Sequence, residues 1–293
     1  MRERTKQLKE MGPPGTVSKI LWHFTGGPRW NPKKKQRYKS LKPSADAYDA
    51  LKGILADCKL RVGQTIEDIK ILWPELQFSQ APPHRLEGVR DVPKQLNSVQ
   101  VCCLADIPIA HLAYHAGRYG KFAIGFHRDS VIRSGFNPVF YTLESTRIIR
   151  SIFGAVTRIS DVNVSGIFQT TEEIRARLPK PSFSDSRLEL DLSYIDAECM
   201  TATEFIMAAQ KSIERLLAFI KTFSPDEFGT IYCEREWRST DTYSFSFDDI
   251  AMIVLPKQID GTEYFSIFTG QDLKELNLPR TVPVVPWEDL IEH

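Results

Sequence analysis

The apolar residues of this chain fall into short runs, each closed by glycine, proline or charge, and that punctuation limits the fold more than any other feature. Ile20-Leu21-Trp22-His23-Phe24-Thr25 ends in Gly26-Gly27-Pro28 and reads as a buried strand feeding a turn. Val99 to Ala105, Lys121 to Phe126, Pro138 to Thr142, Ile250 to Leu255 and Tyr264 to Phe268 read as further strands, and Pro283 to Trp287 as a last extended piece. Helical spacing appears at Ser44 to Leu55, at 143–158 and most clearly from Thr203 to Phe223. Ser44 or Asp46 is placed to cap the first of these. Strands dispersed among segregated helices, with no regular βαβ repeat, predict an α+β fold of mixed or antiparallel sheets with flanking helices. No GxGxxG follows a strand and no GxxxxGK[ST] occurs, which argues against dinucleotide-fold and phosphate-loop chemistry.

A length of 293 residues suits one elaborated domain, with two domains as the alternative. We read 1–18 as an N-terminal extension and 19–293 as a single α+β domain with inserts near 65–98 and 160–200. Pro74, Pro82, Pro83 and Pro93 make the first insert a loop or lid. Residues 1–11 are charged and suit a short helix, and Ser184 to Tyr194 suits a hairpin strand or helical turn. Without an apolar leader or a membrane-length run, the expected location is cytoplasmic. The five cysteines show no CxxC spacing, so free thiols are expected rather than a zinc site. A net charge of +1 gives no global pull toward nucleic acid. The local cluster Lys33, Lys34, Lys35 and Arg37 could still track a phosphate backbone, although a solvated loop is the plainer reading.

The densest chemistry lies in Tyr232-Cys233-Glu234-Arg235-Glu236-Trp237-Arg238. As a strand it sets Glu234 and Glu236 on one face, where they repel unless a cation or ligand intervenes. Such a pair is either closed by arginines in an ion-pair ladder or kept for chemistry, with Trp237 in the core on the other face. His23 lies opposite Trp22 and Phe24 in parity, and either bonds a backbone group or faces a ligand. Asp106 can cap a helix that begins near Pro108 and carries His111 and His115 on one face. Leu112 stands where HExxH has its glutamate, so no metal is assigned there. Gly125 inside a strand signals a close backbone or ligand approach.

The order LWHFTGG (21–27), a helix ending near ILADCKL, VCCLADIP (101–108), YGKFAIGFHRDSVIRSGFNPVFY (119–141) and EREWR (234–238) resembles the bacterial abortive-infection AbiGi-like family, whose members are labelled antitoxins. More remotely, the arrangement is similar to ADP-ribosyltransferases. That likeness implies an ADP-ribosyltransferase-like core, with NAD as substrate and His23 on the first strand. It also implies Tyr141 or Phe126 on a middle strand and Glu236 or Glu234 on a late one. It would make Glu236, Glu234 and His23 catalytic, and His23, Phe24, Thr25, Tyr141, Phe126 and Arg238 the NAD-binding set. The glutamate would stabilise an oxocarbenium-like state. The expectation is therefore an NAD-consuming phage-defence protein. The alternative is a catalytically inactive antitoxin or regulatory module that binds a toxin, another defence-system protein or nucleic acid.

Overall fold

The structure is a computed structural model that describes residues 18–31, 33, 36–63, 66–78, 86–160 and 204–291. The readings made for residues 1–11 and 184–194, and for Lys34, Lys35 and Cys199, lie outside the described residues. The α+β expectation is met: the fold is mixed α+β around a mostly antiparallel sheet. The chain divides into two compact units, Met1–Ile66 with Gln100–Tyr141 and Pro225–His293, and Glu67–Val99 with Thr142–Ser224.

The first unit is built on a seven-stranded sheet. Its strands are β1 (Ile20–Phe24), β7 (Cys102–Ala105), β8 (Ala123–His127), β9 (Asn137–Pro138), β12 (Glu236–Ser239), β14 (Ile250–Leu255) and β15 (Val284–Pro286), in the order β15-β14-β8-β1-β7-β12-β9. The small pairs β2 (Trp30–Asn31) with β3 (Gln36–Arg37), and β4 (Lys59–Leu60) with β13 (Tyr243–Ser244), complete it. Only β14 and β15 run parallel within the large sheet. Both faces are covered, so successive residues of one strand enter different cores. Leu21, Leu104, Ile124 and Phe126 join Tyr48, Leu51 and Leu55 of α1 (Ser44–Asp57) on one face. Trp22, Ala123 and Val254 join Leu112 and Ala116 of α2 (Leu112–Tyr119) on the other. α3 (Arg128–Arg133) follows β8.

The second unit carries the long hairpin of β5 (Asp68–Phe78) and β6 (Leu86–Asn97), α4 (Arg147–Ser160), a helix over 204–217 (α5), and β11 (Ile220–Phe223), which pairs with β10 (Phe140–Leu143). Ile69, Ile71, Ile149, Val156, Leu217 and Ile220 form its core.

Several expectations give way here. Where it is described, the stretch read as a loop or lid is a hairpin rather than a loop, because a two-stranded ribbon has only edge strands and tolerates Pro74 and Pro93 on its unpaired sides, while Pro82 and Pro83 lie outside the described residues. Thr203 to Phe223 is helical only to residue 217, and Ile220–Phe223 turns into a strand. Tyr264 to Phe268 is helical and leads into a π-helical turn, Phe268–Asp272; a short aromatic run cannot be assigned by period alone. The α1 start has no side-chain cap: Ser44 donates to Asp260 at 3.1 Å and Asp46 pairs with Arg29.

Candidate functional site

The EREWR segment is only partly a strand. Tyr232–Glu234 forms a 3-10 turn, Arg235 adopts left-handed φ 45°, ψ 50°, and β12 begins at Glu236. The expectation that Glu234 and Glu236 share a strand face is therefore corrected. A left-handed residue between them redirects the chain and sends each carboxylate to a different partner.

Glu234 is 5 % exposed, and its Oε1 accepts from Tyr119 Oη at 2.9 Å and pairs with Arg118 Nη2 at 3.0 Å. Glu236 Oε2 lies 2.9 Å from Nη2 of Arg238, a residue with no exposed surface. Asp106, expected to cap a helix, instead receives Arg235 Nη2 on Oδ2 at 2.9 Å, while its own N–H donates to the Arg235 carbonyl at 3.0 Å. Three carboxylates thus meet three guanidiniums, which supplies the arginine-closed alternative that the sequence left open.

His115 is buried beside this set, with rings of Tyr114, Tyr119 and Phe24 centred 5.7, 6.0 and 6.2 Å away. Neither of its ring nitrogens has a hydrogen-bond partner. Desolvation holds its pKa below the usual histidine value, the Glu234 carboxylate opposes this and Arg118 reinforces it. His111 sits instead in the 3-10 turn Ile109–His111 and is exposed, so the two histidines do not share one helix face. Among the described residues no group of three or more His, Cys, Asp or Glu is arranged to hold a metal.

The proposed NAD set is dispersed. Register places Trp22, Ala105 and Glu236 in one cross-strand row, so His23, next to Trp22, points to the opposite face of the sheet from Glu236. β7 also separates their strands. The histidine and the glutamate cannot hold one ribose. His23 follows the packing alternative: its Nδ1 is 3.1 Å from the Cys103 carbonyl, and its pKa is pushed down to about 4, chiefly by burial. Thr25 is buried and donates to the Ala47 carbonyl at 2.7 Å. Phe126 has no exposed surface and packs edge-on against Tyr243 and Phe245. Phe24 packs in the α2-side core, and Arg238 is committed to Glu236. Tyr141 does reach the late strand, where its hydroxyl accepts from the Glu236 backbone N–H at 2.7 Å.

Nothing in the sequence pattern pointed to Arg118 and Tyr119 as partners of Glu234. Those contacts close over 115 residues for Tyr119, and Asp106 with Arg235 over 129, so no local spacing encodes them. The one local signal was the density of charge in EREWR: Glu236 is closed by Arg238 from within the segment, whereas Glu234 takes its cation from Arg118 and Arg235 its carboxylate from Asp106.

No helix among the described residues is long and apolar enough to cross a membrane. A protein-family model described as "putative abortive phage resistance protein AbiGi, antitoxin" matches residues 91–260. That span contains Asp106, His115, Arg118, Glu234 and Arg238, and leaves out His23. No curated protein and no solved structure matches the chain.

Proposed function

Because the chain belongs to the AbiGi family of abortive phage resistance proteins, labelled antitoxin, we propose that it works by binding: it is a catalytically silent antitoxin that holds a toxin protein. One observation carries this reading. The carboxylates of the charge-dense segment are closed by arginines, and the histidine meant to complete an NAD site faces the far side of the sheet. A carboxylate that must stabilise an oxocarbenium-like state has to meet the sugar. Glu236 is spent on a fully buried guanidinium instead.

A protein partner is preferred to nucleic acid because a net charge of +1 supplies no attractive field for a polyanion. The test is co-expression with the product of a neighbouring gene that arrests growth. The expected result is relief of growth arrest and a stable complex on gel filtration, both retained by His23→Gln. NAD consumption by the wild type that disappears in a folded His23→Gln variant would overturn the reading in favour of the enzyme.

A further inference from the structure

We propose that His115 is a pH-sensitive latch: while neutral it lets residues 228–234 close against α2, and on taking up a proton it releases them. The inference concerns the chain alone and stands apart from toxin binding.

His115 is 2 % exposed, and neither ring nitrogen has a hydrogen-bond partner among the described residues. The rings of Tyr114, Tyr119 and Phe24 surround it. A charged imidazole enclosed in this way loses water and gains no acceptor. Two of those rings are tethered to the segment. Tyr114 Oη donates to the Gly229 carbonyl at 3.3 Å, and Tyr119 Oη donates to Glu234 Oε1 at 2.9 Å. Arg118, on the same helix, donates to the Thr230 carbonyl at 2.9 Å and bridges to Glu234 at 3.0 Å. Keeping water from His115 and holding the segment are therefore one closure. The segment consists of two short turns, Phe228–Ile231 and Tyr232–Glu234, and Glu234 is its one buried residue. Such a piece can open while the sheet stays folded.

The direction follows from what faces the imidazole. The segment brings the Glu234 carboxylate, α2 brings the Arg118 guanidinium and the phenols of Tyr114 and Tyr119, and β1 brings the uncharged ring of Phe24. Burial lowers the pKa from 6.5; Glu234 opposes this, Arg118 adds to it, and the net direction is down. Opening returns the ring to water and its pKa to about 6.5. The closed form thus keeps its full advantage above pH 6.5. Below that, opening gains up to about tenfold per pH unit until the closed-state pKa is reached.

The test is hydrogen exchange of the full-length chain at pH 7.5 and pH 5.5, read by mass spectrometry and corrected for the intrinsic rate at each pH. In the wild type, peptides covering 228–234 should exchange about five- to tenfold faster at the lower pH. His115→Phe keeps a ring and removes the proton site, so its segment should be equally protected at both. His23→Gln should keep the wild-type rise, since His23 bonds the Cys103 carbonyl instead. Should His115→Phe fail to fold, the His115 ring proton of the wild type is followed by NMR. It should titrate below pH 6.5, and Tyr119→Phe, which loses one tether, should move the midpoint up toward 6.5. Equal protection of the wild type at both pH values would overturn the latch. So would a rise that persists in His115→Phe or that His23→Gln removes, or a His115 midpoint at or above 6.5.

Discussion

Arg238 has no exposed surface, and its guanidinium is paired with Glu236, 2.9 Å away on the same strand face. Glu236→Gln keeps the shape and removes the countercharge. It should lower stability by about 3 kcal/mol, since a buried guanidinium loses the carboxylate beside it. Denaturant unfolding of wild type and variant checks this, and an unchanged midpoint would mean that Glu236 is not structural. His23 makes a pH-dependent contribution whose sign is fixed by burial. Its pKa falls from 6.5 to about 4 on folding, so the unfolded chain binds a proton in this window while the folded one does not. Stability gained from the neutral ring is complete above pH 6.5 and lost as pH falls toward 4, by on the order of 3 kcal/mol. His23→Gln should show a shallower loss than wild type across that window in unfolding curves taken at stepped pH. Equal slopes would place the acid sensitivity elsewhere.

At the level of elements, Gly125 in β8 shows why a strand glycine is there. A Cβ at this position would come within 2.6 Å of Ile20 Cγ2 and 2.9 Å of a Trp22 ring carbon. The close approach foreseen from the sequence is real, but it is made by side chains of the neighbouring strand. Gly125→Ala should cost about 2 kcal/mol through overpacking, read as a lower unfolding midpoint; a neutral effect would show that β1 can yield. The buried contact of Tyr48 in α1 with Asp272, supported by Lys52 at 3.7 Å from the same carboxylate, ties the first long helix of this unit to the π-helical turn. These cases also mark what the sequence could say. Strands closed by glycine or proline were legible because period and punctuation act within a few residues: Ile20–Phe24 and Ile250–Leu255 stand where apolar runs placed them. Helix 204–217 ran on too far because Ile220 and Phe223, three residues apart, also suit a helical spacing, and pairing with β10 decided their state. The site was legible as an excess of charge at 234–238 and no further. The left-handed Arg235 and the arrival of Arg118, Tyr119 and Asp106 are products of tertiary structure.

For the whole molecule, the nearly balanced charge limits what can be attracted from a distance. With a net charge of +1, any field that steers a partner must come from a local patch, and exposed charges are screened beyond about 8 Å at physiological salt. Nucleic acid is held mainly through many phosphate contacts, each adding to the salt dependence. Of the basic cluster singled out in the sequence, Lys33 is exposed and Arg37 lies on β3. A protein that holds another protein with so little net charge should therefore associate at an ordinary, unsteered rate, on the order of 10⁵–10⁶ per molar per second. Lys33→Glu with Arg37→Glu should change toxin affinity less than about threefold, because charges away from a contact contribute little. The same full-length chain should give no anisotropy change with a labelled DNA duplex at physiological salt. Saturable duplex binding that strengthens at low salt and disappears in the charge-reversed variant would instead make the basic cluster the working surface.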